Sequence, residues 1–272
     1  MKQIFLLLIV TIFTFSFYSC NSDIRKEERV LVFTKNEVGG YIHDCIPASV
    51  AAIQKFGKKN GIIVDTTSNS ALFTDEYLKK YSAIVFSNTN NKVFETENER
   101  VVFQRYIQAG GGFVGIHSAC GTERHWHWFS QLLGGTFEWH PPYQTAVIDV
   151  IDHNDPSTVF LPDRWEREDE WYLLKNMNPD IHILATLDSA TYQSERHGKD
   201  YPTAWYHEYD GGRSFFTAGG HSSEHYSDSL FIRHILGGIV YAIGENKKLD
   251  YSKVKAKYPE LILVRPLLLP GD

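Results

Sequence analysis

The sequence predicts an α/β protein built on a doubly wound, mostly parallel sheet. Four short β-rich runs alternate with helical patterns over about 90 residues, which is the order that βαβ units produce. The run 113–116 is apolar without alternation, which is typical of a strand covered on both faces. A length of 272 residues fits one large domain with an insertion.

The first half of the chain contains the predicted βαβ units. Asp44 is the predicted N-cap of the first helix, and Asn60-Gly61 ends that helix. Thr96 and Glu99 form a capping-box pattern at the start of a later helix that runs to Ala109. The predicted strands are 29–34, 62–65, 83–86 and 110–117, with a short helix at 74–80.

The second half predicts a β-rich insertion before the fold returns to the main sheet. Asp210-Gly211-Gly212-Arg213 is a hairpin turn signal, and Ser227 is the predicted cap of the last helix. A short helix is predicted at 122–133 and a strand before His140. The other predicted strands are 145–151, 181–187, 202–209 and 214–218.

The N-terminus has the features of a bacterial lipoprotein signal. Lys2 precedes the apolar run 4–17, and Cys20 follows as the residue to be lipidated. The alternative is a transmembrane anchor, for which the apolar run is short. We therefore expect a signal peptide at 1–19, a polar tether at 20–28, and a lipid-anchored protein in the cell envelope.

Charge and cysteine content exclude several partner classes. The chain has 27 basic and 33 acidic residues, and loss of Lys2 with the signal leaves 26 minus 33, or −7. This charge argues against nucleic acid and against anionic membrane, apart from a lipid anchor. Cys45 and Cys120 form no Cys-x-x-Cys pair, so a zinc ribbon is not expected, and a disulfide between them is left open.

Three histidines follow apolar strands with a glycine shortly before each. They are His43, His117 and His221, and the carboxyl ends of strands are where ligands bind in open α/β sheets. With His207 added, these imidazoles form a candidate site for a divalent metal ion, zinc first. The same groups could instead bind sugar hydroxyls beside tryptophans, or one histidine could act as a general base.

Six short motifs are distributed along most of the chain. They are Gly40-Tyr41-Ile42-His43, Gly115-Ile116-His117-Ser118-Ala119, His140-Pro141-Pro142, Asp169-Glu170-Trp171-Tyr172, the run 205–213 and Gly220-His221. Together they resemble the ThuA-like (trehalose utilisation) family of the class I glutamine amidotransferase-like fold. The resemblance covers residues 29–243, which leaves 244–272 as a C-terminal tail. It implies a flavodoxin-like sheet with inserted β structure, a cleft at the strand ends and a role in carbohydrate metabolism.

The candidate site residues are assigned either to catalysis or to substrate binding. Glu168 and Asp169 are interpreted as a solvated acidic loop, whereas Glu170 beside Trp171 is a candidate pocket carboxylate. His117, His43 and Glu170 are the catalytic candidates. The substrate-binding candidates are Tyr41, Ser118, His140, Trp171, Glu208 and Arg213.

The resemblance also bears on the reaction. Amidotransferases of this fold carry a nucleophilic cysteine after the strand that ends here at Ile116, and this chain has His117 at that position. Glutamine hydrolysis is therefore not expected. Two hypotheses remain: an enzyme that acts on a sugar or keto-sugar, and a carbohydrate-binding lipoprotein without catalysis.

Overall fold

The computed structural model describes residues 28–196, 201–245 and 249–258. Within these ranges the strands are β1 (Glu28–Phe33), β2 (Ile62–Thr67), β3 (Ala83–Ser87), β4 (Gly112–Ile116), β5 (Thr136–Trp139), β6 (Gln144–Val150), β7 (Arg164–Asp169), β8 (Leu173–Lys175), β9 (His182–Leu187), β10 (Tyr201–Tyr209) and β11 (Gly212–Thr217). The helices are α1 (Ile46–Lys59), α2 (Asp75–Leu78), α3 (Glu97–Gln108), α4 (His127–Leu133) and α5 (Ser229–Ile243), with 3-10 turns at Ser70–Leu72, His117–Gly121, Ser223–Ser227 and Tyr251–Lys253.

Nine strands form one sheet in the order β2-β1-β3-β4-β11-β10-β9-β6-β7. The pairs from β2 to β11 are parallel, and the pairs from β11 to β7 are antiparallel. The predicted α/β sheet with a β-rich insertion is therefore confirmed. The insertion extends the main sheet on one side, while β5 and β8 pair as a separate two-stranded ribbon.

The parallel strands are buried on both faces because helices cover each side of the sheet. On β1, Val30 and Val32 belong to the core beneath α1 and α5, whereas Leu31 and Phe33 belong to the core beneath α3 and α4. All four side chains are fully buried. Successive side chains of a strand point to opposite faces, so an unbroken apolar run supplies two cores at once.

The helix caps agree with the sequence in part. Thr96 caps α3 by accepting a hydrogen bond from the Glu99 amide, as predicted. The first helix is capped at Cys45 instead of the predicted Asp44, and no side chain donates or accepts a cap hydrogen bond there. A proline in the first turn has no amide proton, so fewer amides need a cap. The last helix is capped at Asp228, whose carboxylate accepts from the Leu230 amide; the prediction of Ser227 was wrong by one residue.

The predicted helix at 122–133 is shorter in the structure, because α4 begins only at His127. Residues 249–258 lie against α3, where the amides of Lys255 and Ala256 donate to the Gln108 side-chain oxygen at 2.9 and 2.8 Å. The packed chain thus extends beyond residue 243.

Residues 1–27, with Cys20, the predicted signal and the predicted tether apart from its last residue, lie outside the described residues, as do 259–272. That last residue, Glu28, is the first residue of β1. Among the described residues, no helix has the length and apolar character needed to cross a bilayer.

Candidate functional site

Four side chains converge at the carboxyl edge of the parallel strands. One nitrogen or carboxylate oxygen from each lies within 4.8 Å of those of the other three. Three of them are the histidines that the sequence placed together at the strand ends, and the fourth is the candidate pocket carboxylate. We call this group the histidine–carboxylate cluster: His43, His117, Glu170 and His221.

His117 is at the centre of the cluster and has no solvent-exposed surface. It directly follows β4 with φ of +52°, a left-handed conformation that costs a non-glycine residue about 1–2 kcal/mol. Its Nδ1 lies 2.7 Å from the Ala218 carbonyl oxygen, which can only accept, so the Nδ1 proton is donated there. The Tyr172 ring stacks on the imidazole with centroids 4.2 Å apart. These contacts leave His117 Nε2 facing the cluster.

Glu170 lies one residue beyond β7 and connects the cluster to the cleft. Its Oε2 is 3.2 Å from His221 Nδ1 and 3.7 Å from His117 Nε2, and its Oε1 is 3.2 Å from His140 Nδ1. Burial alone would raise the pKa of the Glu170 carboxyl, but the ring nitrogens of His117 and His221 outweigh burial and hold that pKa well below its usual range. The hydrogen bond to Glu170 in turn raises the pKa of His221. Glu170 is therefore a carboxylate at neutral pH.

His43 lies two residues before the N-cap of α1 and is 2 % exposed. Its Nδ1 is 3.3 Å from the Ser118 hydroxyl, and its Nε2 is buried without a hydrogen-bond partner. Burial, followed by the neighbouring His117 and His221, lowers the pKa of His43 to about 3. The ring is neutral at physiological pH, and its Nε2 is buried without a partner whichever nitrogen carries the proton.

Asp169 connects two members of the cluster, although sequence analysis interpreted it as part of a solvated loop. The structure corrects that interpretation, because Asp169 is fully buried at the end of β7. Its carboxylate accepts hydrogen bonds from the amides of Glu170 at 2.9 Å, Gly220 at 2.9 Å and His221 at 3.2 Å. One side chain thus fixes the loops that follow β7 and β11, although these strands are not neighbours in the sheet.

The cluster forms part of an open cleft of about 440 Å³. His117 is not exposed on its wall and lies behind the other three members. The cleft also contains residues that sequence reasoning missed, namely Asn90, Arg124, Phe137 and Tyr172. Six predicted site residues line it: Tyr41, His43, Ser118, His140, Glu170 and His221.

The structure separates four predicted residues from this cleft. Trp171 is 1 % exposed and packs in the core, with its Nε1 donating to the Gln144 carbonyl, so it cannot stack on a ligand. His207 is also buried, and its Nε2 contacts the Gln131 carbonyl oxygen at 3.0 Å, away from the cluster. The structure therefore corrects two predictions. Trp171 does not face this cleft as a substrate contact, and His207 is not among the ligands of the cluster.

Glu208 and Arg213 lie at the opposite edge of the sheet. Arg213 pairs with Gly112 at the start of β4, whereas His117 follows the end of that strand. Because β10 runs antiparallel to β11, its last residues return to the amino edge. The predicted substrate-binding residues Glu208 and Arg213 therefore do not line the cleft that contains the cluster.

Neither cysteine is placed for nucleophilic chemistry. Cys45 and Cys120 are both free and buried, which answers the question of a disulfide between them. Burial raises the pKa of Cys45 to about 12 and raises that of Cys120 further. Thiols of such high pKa remain protonated and are poor nucleophiles.

Comparisons with known proteins agree with the fold. A ThuA-like protein from Bacteroides uniformis ATCC 8492 is similar at 22% identity and a TM-score of 0.69, covering 86% of this chain and 98% of that one. A ThuA-like protein from Parabacteroides merdae ATCC 43184 has 21% identity and a TM-score of 0.63, covering 86% and 94%. A cytoplasmic protein from Salmonella typhimurium has 12% identity and a TM-score of 0.53, covering 77% and 96%. No curated protein matches the chain.

The fold and the site define an α/β protein with a histidine–carboxylate cleft at the carboxyl edge of its sheet. The sequence profile of the ThuA family, described as trehalose utilisation, matches residues 29–242. The chain belongs to this family, as the motifs predicted.

Proposed function

We propose that this protein is an enzyme that acts on a sugar or keto-sugar in the cleft of the histidine–carboxylate cluster. One observation carries the proposal: three imidazoles and a carboxylate from separate loops place reactive atoms within 4.8 Å of one another. Recognition alone is usually achieved with amides, hydroxyls and aromatic rings. A group of ionisable side chains with shifted pKa values is more typical of a reaction centre.

The rest of the cleft is suited to a carbohydrate. The Phe137 ring can pack against the apolar face of a sugar, and the Arg124 guanidinium lies 5.1 Å from that ring on the same wall. Asn90, Ser118 and Tyr41 add amide and hydroxyl groups that match sugar hydroxyls. The family description, trehalose utilisation, points to the same substrate class.

The ionised Glu170 gives the site a base or an electrostatic partner for a substrate hydroxyl. Its Oε1 faces His140, which lines the cleft, and its Oε2 faces the buried histidines. A proton could thus pass between substrate and Glu170 without a covalent intermediate on a cysteine. The reaction class that we propose is chemistry at a hydroxyl or carbonyl carbon of the sugar.

We also propose that the protein works in the cell envelope, tethered by a lipid on Cys20. The apolar run 4–17 followed by Cys20 is the supporting observation. Replacement of Cys20 by alanine should release the protein from the membrane fraction, and a variant that stays fully bound would contradict the lipid anchor.

The catalytic proposal is tested with a matched pair of variants, Glu170→Gln in the cleft and Glu208→Gln at the exposed opposite edge. A panel of disaccharides, monosaccharides and keto-sugars is incubated with each protein, and products are identified by mass spectrometry. We expect Glu170→Gln to lower kcat/KM at least about 100-fold, the usual worth of a placed proton-transfer group, and Glu208→Gln to leave it unchanged.

Equal turnover by both variants would contradict the role of Glu170. If no sugar is converted but calorimetry shows saturable binding that Glu170→Gln weakens, the protein is a carbohydrate-binding lipoprotein, and the enzyme proposal is wrong.

A further inference from the structure

We propose that the histidine–carboxylate cluster is a binding site for one divalent transition-metal ion, with zinc as the best match. The ligand atoms are one ring nitrogen from each of the three histidines and a carboxylate oxygen of Glu170. This site does not depend on the sugar assignment, because the argument for it uses only the contacts among the four side chains.

The first argument concerns the partners of the ring nitrogens. His117 donates its Nδ1 proton to the Ala218 carbonyl, which leaves Nε2 facing His221 Nδ1 at a distance of 3.3 Å. Both of these nitrogens also face the same carboxylate oxygen, Glu170 Oε2. His43 Nε2 is buried and has no hydrogen-bond partner. The contacts within the cluster therefore leave its ring nitrogens short of partners, and one cation would pair with all of them.

The second argument is the spacing of the ligand atoms. Ligands about 2.0–2.1 Å from a tetrahedral zinc ion are separated from each other by about 3.3–3.4 Å. The observed separations are 3.3 Å between His117 Nε2 and His221 Nδ1, and 3.2 Å between His221 Nδ1 and Glu170 Oε2. The distance from His117 Nε2 to Glu170 Oε2 is 3.7 Å. Three atoms thus already have the spacing of a shared ion.

The third argument is the support around the ligands. Metal-binding imidazoles usually donate their second nitrogen to a carbonyl or carboxylate, and the Ala218 carbonyl does this for His117. Ser118 contacts His43 at its other ring nitrogen. Asp169 holds the backbone of both His221 and Glu170. The ligands are therefore oriented by contacts outside the cluster.

The chemistry of the ligands selects the class of ion. Imidazole nitrogens with one carboxylate suit zinc, iron, cobalt or nickel, whereas magnesium and calcium prefer oxygen ligands throughout. The side chains of Glu170 and His221 are partly exposed to the cleft, while His43 and His117 are buried. A bound ion would thus be reached from the cleft side, where it would act as a Lewis acid toward a substrate oxygen.

The test is calorimetric titration of the purified, tag-free full chain with Zn²⁺ after treatment with a chelator. Co²⁺ serves as a second probe, because its visible absorption reports the coordination geometry. We expect one high-affinity site per chain, and at least a 100-fold loss of affinity in His43→Ala and in Glu170→Gln. The matched control is His125→Ala, which removes an exposed imidazole outside the cluster and should leave affinity unchanged.

Circular dichroism checks that each variant is folded. If one of the two cluster variants does not fold, the other still tests the metal site. Absence of saturable binding to the folded wild type, or retained affinity in both cluster variants, would overturn the metal site. Metal binding without turnover of any sugar would support the site and contradict only the catalytic proposal.

Discussion

The two edges of the nine-stranded sheet both carry polar side chains, but among the described residues only the carboxyl edge brings three histidines and a carboxylate together. At the amino edge, Arg213 donates to the Tyr241 carbonyl at 2.7 Å and lies over its ring at 4.1 Å. Asp210 accepts from both Gln108 and Trp128 at 2.8 Å. At the carboxyl edge, by contrast, the cluster members face one another, and His43 Nε2 has no partner.

Pocket size alone would have selected the other edge. The space beside Glu208 and Arg213 is about 730 Å³, compared with about 440 Å³ for the cleft of the cluster. What distinguishes the carboxyl edge is a set of ionisable groups that face one another and are held in place by contacts outside the set. Convergent ionisable groups in a rigid frame are stronger support for a site than volume.

The largest expected difference between the edges comes from one carboxylate at each, Asp169 at the carboxyl edge and Asp210 at the amino edge. Asp169→Asn leaves buried amides facing an NH₂ group, so we expect the free energy of unfolding to fall by about 3–5 kcal/mol. Zinc affinity should fall about 10–100-fold in the folded variant, because Asp169 orients Glu170 and His221. Asp210→Asn at the amino edge is the matched control and should leave zinc affinity unchanged. Denaturant unfolding and calorimetry measure the two quantities; equal zinc affinity in both variants would contradict the positioning role.

A histidine distant from both edges gives the next largest effect. His234 on α5 is buried among Trp165, Phe215 and Phe231, and burial lowers its pKa to about 4, opposed in part by a bond to the Ser157 carbonyl. The pKa in the unfolded chain is near 6.5, so the unfolded state takes up the proton first as the pH falls. The neutral His234 ring therefore makes a contribution to the free energy of unfolding that is complete above about pH 6.5. About 3 kcal/mol of it is lost as the pH falls from 6.5 to 4.

The pH dependence is checked by denaturant unfolding of wild type and His234→Leu across that range. The variant should be less stable at pH 7 but lose less stability on acidification. Identical slopes for the two proteins would show that His234 does not contribute to acid sensitivity. Arg167 and Asp155, which also influence this ring, are unchanged in the comparison.

The smallest expected effect is a difference in stability between two glycine variants, one at each edge of the sheet. Gly220 has φ of +115°, and a Cβ there would lie 2.7 Å from the Tyr226 hydroxyl oxygen. Gly61, before β2, has φ of +73° with no atom within 4 Å of a Cβ. We expect Gly61→Ala to cost about 1 kcal/mol from backbone strain alone, and Gly220→Ala about 1 kcal/mol more. Thermal unfolding of both variants measures the difference, and an equal loss would mean that the loop before His221 is not tightly packed.

Much of the fold could be predicted because its signals are local. Apolar runs separated by capped helices identified β1 to β4, and the topology rule for parallel strands then brought His43, His117 and His221 together. For His117 and His221 that convergence follows from strands that are parallel, whereas the position of His43 also depends on the loop between β1 and α1.

The errors arose where the chain reverses. The run 205–213 belongs to the family motifs, but β10 is antiparallel to β11, so Glu208 and Arg213 end at the amino edge. The hairpin turn signal at 210–213 was a usable sign of that direction, because a hairpin joins antiparallel strands. Asp169 was missed because acidic residues surround it, although the alternation of Trp165, Arg167 and Asp169 on the buried face of β7 was a usable signal.

The most direct test of the histidine–carboxylate cluster is anomalous scattering at the zinc absorption edge from crystals grown with zinc. We predict a single strong peak about 2.0–2.2 Å from ring nitrogens of His43, His117 and His221 and from a carboxylate oxygen of Glu170. A cluster without a peak at saturating zinc, or zinc found only at exposed histidines such as His125, would contradict the central claim that this edge of the sheet binds a metal ion.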